Sequence, residues 1–330
     1  MEANTLPSQG PVFDGHCDTL LAVLGRPEQP RRRLGERAST GHLDLPRMRE
    51  GGVHAQVFAC YVRPEWRQYQ AAGEALRILD AFYGELEANA AEMALAATAD
   101  EVEAAYRRGQ TAALLAIEGG EALEESLGNL RMFHRLGVRL LTLTWNFRNA
   151  LADGVGSLRA DSGLTEFGVQ VVREMNRLGM LVDIAHLAPR GVADVFALSE
   201  QPVVDSHANA RALADHPRNL TDAQLEALAR SGGVIGVSYV PRFIADNPAE
   251  ASVARLVDHI DHIVQVAGVD HVGLGSDWDG ISGEFVVQGL PDVSATPAIV
   301  RELHGRGYSA EAMGKIMGGN WLRVWRQVVG

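Results

Sequence analysis

Short apolar runs alternate with longer amphipathic stretches along most of the 330 residues. Eight runs rich in Val, Ile, Leu or Ala read as strands: 12–18, 53–61, 111–118, 139–145, 180–186, 202–207, 233–239 and 271–277. Several, such as VIGVSYV and LLTLTW, are apolar at successive positions, the pattern of parallel strands covered on both faces. Between them, helical periodicity marks 68–89, 130–136, 165–178, 189–198, 222–230, 253–266 and 298–304. Thr221 with Gln224 has the form of a capping box, and Gly137 and Gly179 follow helical stretches where a left-handed cap is expected. No short repeat, low-complexity tract or long linker breaks the chain, so a single domain over 1–330 is expected.

Eight strand–helix units predict an α/β fold, a (β/α)8 barrel of the TIM type. An open doubly wound sheet would place a glycine-rich phosphate loop after the first strand. The chain has HCDTLLAV there instead, with neither GxGxxG nor GxxxxGK[ST].

Composition narrows the chemistry. A net charge of -12 argues against nucleic acid as a partner, because phosphate binding needs a basic footprint. The basic run PRRR at 30–33 is isolated in an acidic chain and reads as an exposed loop. All basic residues but Lys315 are arginine, and Lys315 reads as a solvated helix residue, so a lysine nucleophile is not expected. Cys17 and Cys60 form no CxxC motif and no disulfide framework. No signal peptide or membrane-length apolar run is seen, and a reduced, cytoplasmic protein without membrane contact is expected.

Barrel enzymes draw their catalytic residues from the C-terminal ends of the strands. Here those ends read DGHCD, AIEGG, DIAH, DSH and GSDWD. His16 and Asp18, two apart on a strand, share a face and can hold one ion, while Cys17 points to the helix layer. His186 and His207 end two further strands. Glu118 follows the apolar run ALLAI, where a lone carboxylate would be desolvated and bridging two ions would satisfy both its oxygens. No lysine lies on any strand to serve as a carboxylated bridge. Imidazole and carboxylate ligands suit zinc, with Mn, Co and Fe as alternatives. Asp277 is the candidate proton carrier, and Asp279 reads as a turn residue beside Gly280. The other histidines look ordinary; His259 and His262 are read as surface residues on a helix.

The segments FDGHCDT, AIEGGEAL, LTLTWN, LVDIAHL, DSHANAR, PRNLTD and VGLGSDWDG together resemble the renal (membrane) dipeptidase family of zinc peptidases, the M19 peptidases. They run in order from about residue 13 to 280. The resemblance implies a distorted (β/α)8 barrel, two zinc ions and hydrolysis of dipeptides. It implies His16 and Asp18 on one zinc, His186 and His207 on the other, Glu118 bridging, and Asp277 as proton shuttle. It implies Arg218, in PRNLTD, as the holder of the substrate's terminal carboxylate, a role an arginine fork suits; spacing alone does not choose Arg218 over Arg211. A homodimer is an analogy with the family only. One position departs: well-known animal members carry a histidine after LTLT, where this chain has Trp145 followed by Asn146. An indole offers one donor, and the Asn146 amide could donate to an oxyanion if its loop turns inward. A deacylase, lactonase or amidase on the same metal site is the alternative enzyme. A catalytically silent peptide-binding barrel is the alternative of another class.

Overall fold

The computed structural model describes residues 10–25, 31–62, 70–157, 159–281 and 286–330. The first nine residues, Pro30 of the basic run, and Gln68 at the start of the first expected helix lie outside the described residues. Nine strands follow in chain order: β1 Phe13–Cys17, β2 Ala55–Tyr61, β3 Met93–Leu95, β4 Thr111–Glu118, β5 Val138–Thr142, β6 Leu181–Asp183, β7 Val203–Ala208, β8 Val234–Val237 and β9 Val272–Leu274. All their pairings are parallel. β2 pairs with β4 over Ala55↔Ala112 to Tyr61↔Glu118, which closes the ring of eight expected strands. The ninth, β3, was not expected. It pairs only with the start of β4, Met93↔Thr111 to Leu95↔Ala113, below the point where β5 joins at Leu115↔Val138. Three residues are too few to show a period.

Most helices match their expected positions. Pro189–Leu198 and Asp222–Arg230 form as read, and the Thr221–Gln224 capping box is present. Gly137 and Gly179 take left-handed conformations, with φ of 92° and 68°. A second capping box, Thr98 with Glu101, starts the helix Ala99–Arg107. Lys315 pairs with Asp270 at 2.9 Å on a partly exposed helical turn.

Two buried clusters fill the molecule. Inside the barrel lie Phe13, Val57, Leu114, Leu140, Val204 and their neighbours, closed below by Trp321 and Trp325 of the final helix Asn320–Val328. Trp321 fits because β1 and β9 carry glycine where it passes. A Cβ on Gly15 would come within 2.2 Å of its ring, and one on Gly273 within 2.7 Å. Its indole Nε1 donates to the Leu274 carbonyl at 2.9 Å. The N-terminal end of the barrel is thus plugged, and the C-terminal end is left for chemistry. The larger outer cluster, which includes Phe58, Ile78 and Phe82, joins barrel to helices and contains Cys17 and Cys60 as free thiols.

Two surface readings need correction. His259 is buried: Nδ1 accepts from the Ala210 amide at 3.1 Å and Nε2 donates to the Ile244 carbonyl at 2.9 Å. It ties the helix Val253–Ala267 to the segments that follow β7 and β8. In the basic run, Arg31 and Arg33 are exposed and face Glu85, but Arg32 is largely buried against Asp279.

Candidate active site

The expected strand ends overrun the paired strands at the mouth. β6 stops at Asp183, β5 at Thr142 and β9 at Leu274. Beyond them the chain leaves the ladder to aim side chains. His186, Asp277 and Asp279 have φ of 65°, 64° and 66°, a left-handed conformation uncommon outside glycine.

On β1, Phe13 faces the interior while Cys17 packs in the outer cluster. Simple alternation would put both on one face; the register shifts between Asp14 and Cys17. The shift turns His16, buried beside Glu118 and Asp18, into the mouth. A similar irregularity between Asp205 and Ala208 on β7 accompanies the inward turn of His207. On β4, alternation holds without a break: Ala112, Leu114 and Ala116 line the interior, and Glu118 continues their face at the mouth.

The segment after β9 is sewn to β1. Asp14 accepts from the Ser276 amide at 2.9 Å, Ser276 Oγ donates to the His16 carbonyl at 3.1 Å, and the Asp277 amide donates to the same carbonyl at 3.1 Å. The Asp18 amide donates to the Trp278 carbonyl at 2.8 Å. Asp277 and Asp18 thereby face each other across Gly280. A Cβ there would lie 2.2 Å from an oxygen of each, so any side chain at this position must push the two carboxylates apart.

The central relation belongs to Glu118. Its Oε2 lies 3.7 Å from His16 Nε2; its Oε1 lies 3.0 Å from His186 Nε2 and 3.8 Å from His207 Nε2. Each carboxylate oxygen serves a different pair of candidate ligands: His16 with Asp18, and His186 with His207. Asp277 joins His16 and His207 in a third group.

Two of the three histidines have fixed tautomers. His186 Nδ1 is 2.7 Å from Asn146 Oδ1, and His207 Nδ1 is 2.7 Å from Ser206 Oγ, which donates onward to Asp183 Oδ2 at 2.6 Å. Thr142 Oγ1 also donates to Asp183 Oδ2 at 2.6 Å. Both Nδ1 atoms therefore carry protons, and both Nε2 lone pairs point into the site. The loop does turn Asn146 inward, and its oxygen accepts from His186 Nδ1.

The charge balance calls for cations. Burial pushes His16 down to about 3, and pushes His186 and His207 well below the usual range, so all three are neutral. Burial, then the charge of Asp279, raises Asp18 to about 7. Burial, followed by the neighbouring carboxylates, drives Glu118 and Asp277 well above the carboxylate range. Neither ring nitrogen of His16, nor Oδ1 of Asp18, has a hydrogen-bond partner among the described residues. Three neutral imidazoles and three crowded carboxylates, with orphaned donor atoms, fit divalent ions that would replace protons as the counter-charge.

A cavity of about 730 Å³ opens over this cluster. Arg218 stands in its wall, buried, with Nη2 donating to the His207 carbonyl at 2.8 Å and its guanidinium 5.4 Å from the Phe243 ring. Arg211, the other candidate, is half exposed and pairs with Asp215 at 2.8 Å outside this cavity. Trp145 forms an aromatic side of the cavity, 5.4 Å from the Tyr61 ring and 6.0 Å from that of His186. Asp279 stays outside the cluster's ligand groups. It accepts from Thr19 Oγ1 and the His42 amide, both at 2.7 Å, and pairs with Arg32. It braces the turn that carries Asp277. Sequence reasoning missed the supports Asp14, Asp183, Ser206 and Ser276; their one visible signal is a polar residue within three positions of a strand-end histidine or aspartate.

The sequence profile described as membrane dipeptidase, peptidase family M19, matches residues 1–329. The dipeptidase tcpJ of Claviceps purpurea is 37% identical over 331 residues, covering 96% of this chain and 76% of that protein. A crystal structure described as a dipeptidase and metallopeptidase of family M19 has a TM-score of 0.90 at 34% identity, covering 98% of this chain and 100% of that one. A metallopeptidase from Rhodobacter sphaeroides, bound to a phosphinate mimic of the dipeptide L-Ala-D-Ala, has a TM-score of 0.89 at 33% identity and covers 97% of this chain and 100% of that one. A profile match over nearly the whole chain, on a closed barrel with this donor set at its mouth, leads to one conclusion: the chain belongs to the membrane dipeptidase family, peptidase family M19, and is a metallo-dipeptidase.

Proposed function

We propose that this chain hydrolyses dipeptides with a free C-terminal carboxylate, using two divalent ions, zinc foremost. His16 and Asp18 would hold one ion and His186 and His207 the other, with Glu118 facing both groups. The observation that carries this is the split of Glu118, one oxygen toward each histidine group. When bound, the ions supply Lewis acidity and an activated water near neutral pH.

The chain's own residues do the rest. Arg218 takes the terminal carboxylate of the substrate, which sets the scissile amide above Glu118 and limits substrates to short peptides. Asp277 accepts the proton of the attacking water and returns it to the leaving amine. Asn146 holds His186 in its ligating tautomer, and Trp145 walls the cavity. The phosphinate bound to the Rhodobacter sphaeroides relative mimics a dipeptide ending in a D-residue, which supports including such dipeptides among the substrates. No helix among the described residues is long and apolar enough to cross a membrane.

The test is turnover of a panel of L-L and L-D dipeptides by zinc-loaded protein, with metal content measured and a chelator control. Chelator-sensitive cleavage with two ions per chain is expected. Two bound ions with no cleavage of any dipeptide, and turnover of N-acyl amino acids or lactones instead, would replace the dipeptidase reading by the deacylase or lactonase one.

A further inference from the structure

Adjoining the main cavity, and sharing Val155, His186, Pro217 and Arg218 with it, lies a second cleft of about 260 Å³. Asp205 of β7 lines it, fully buried, and among the described residues no side chain donates to either of its carboxylate oxygens; the backbone amide of His207 is the one nearby donor that bears on it. Arg218 lines the same cleft, and its Nε is buried without a hydrogen-bond partner among the described residues. Buried polar groups are rarely left unpaired, since each orphan costs about 1–3 kcal/mol. Arg218 is the cation whose charge bears on Asp205. Among the described residues, however, no direct ion pair or hydrogen bond joins the two. A polar gap of this kind, with room for water and several polar walls, is where ordered water sits. Thr221 and Gln224 also line the cleft; the Thr221 hydroxyl is paired with Gln224 Oε1, and the Gln224 amide group can donate to such water.

We infer that Asp205 is a positioning residue for Arg218, acting through ordered water in this cleft. This rests on the dipeptidase reading of Arg218 as the carboxylate holder. The guanidinium is then gripped on two sides: Nη2 by the His207 carbonyl, and Nε by water bound to Asp205. The Nη1 side remains for the substrate carboxylate. The same β7 segment thus supplies the buried carboxyl group beside the arginine and, two residues on, His207.

Two measurements decide it. The first is a high-resolution crystal structure of the metal-loaded wild-type protein. Water within hydrogen-bond distance of both Asp205 and Arg218 Nε is expected; a dry cleft overturns the inference. The second compares wild type with Asp205→Asn on a dipeptide and on the matching dipeptide amide, with bound metal measured in both. A KM about tenfold higher for the acid, with a much smaller change in kcat, is expected. That penalty disappears with the amide, which has no carboxylate to position. Asp205→Glu, which keeps the charge, recovers part of the loss. Equal losses on acid and amide, or a loss of metal that accounts for the whole effect, overturn the positioning role. If the wild-type protein cleaves no dipeptide, it is the dipeptidase reading that fails, while the water positions still decide this one.

Discussion

The Nε2 atoms of His186 and His207 stand 2.9 Å apart, and neither is free to carry a proton between them. Asn146 and Ser206 hold the Nδ1 protons, so two lone pairs face one another beside Glu118 Oε1. Such an arrangement is repulsive in the bare protein and becomes favourable only around a cation. The fold has arranged the ligands before the ion arrives, and the strain of His186 at φ 65° is part of that arrangement.

Metal should therefore stabilise the fold. A rise in thermal midpoint on adding zinc to chelator-stripped protein is expected, because the ion binds the native state far better than the unfolded one. Glu118→Gln keeps the side-chain volume but removes the charge shared by both ligand groups. It is expected to lose at least one ion per chain by elemental analysis, together with most of the thermal gain.

The contact of the Asn146 oxygen with His186 Nδ1 predicts an effect on metal binding. Asn146→Ala removes the acceptor for His186 Nδ1–H and is expected to weaken metal affinity by about 10–100-fold, the usual effect of losing such a support. Asn146→Asp keeps an acceptor oxygen and is expected to retain most of the affinity. A metal titration with a competing chelator reads both. Unchanged affinity in Asn146→Ala, with kcat reduced, would return this residue to the oxyanion.

Gly280→Ala tests how closely Asp18 and Asp277 approach. The added methyl would sit 2.2 Å from an oxygen of each and must part them. A fall in kcat of about 100-fold is expected, the scale of an ångström-sized misplacement at a reacting centre. The thermal midpoint of the chelator-stripped protein should fall little by comparison.

At the opposite end of the barrel the balance reverses. Gly273→Ala places a methyl 2.7 Å from Trp321 Nε1 in the plug beneath the barrel. Denaturant unfolding is expected to show a loss of about 1–3 kcal/mol from overpacking. The kcat of the protein that remains folded should stay near the wild-type value, since the site lies at the other end.

Acid should loosen the loop that carries Asn146. Hydrogen bonds from Arg148 hold Asp153 down at about 2 despite burial, with further contacts from Ser162. The unfolded value of an aspartate is about 3.9. The folded value is the lower one, so Asp153 contributes stability above about pH 4 and loses it as pH falls toward 2. Arg148 is exposed, so the contribution is on the order of 1 kcal/mol after solvent screening. The midpoint difference between wild type and Asp153→Asn should be steady from pH 7 to 5 and shrink below pH 4.

Apolar runs of six to nine residues report burial on both faces, and their regular spacing with intervening helices left few folds to choose from. A polar residue that ends such a run must be paired or bound, which is why His16, Asp18, Glu118, His186, His207 and Asp277 stood out along the chain. The local pattern determined that much by itself. Tertiary structure decided what depends on distant partners. Whether His16 or Cys17 enters the mouth depends on a register shift in β1, and the site there is closed by Ser276, 262 residues beyond its partner Asp14. His259 reads like a surface residue until the Ala210 amide and the Ile244 carbonyl close over it. Arg218 and Arg211 are indistinguishable by spacing; only the packing of Arg218 against the His207 carbonyl and Phe243 brings it to the cavity. Periodicity is a property of neighbours in sequence, and it carries the barrel and its polar rim. Tautomers, counter-charges and the orientation of an arginine are properties of neighbours in space, and those the folded chain alone supplies.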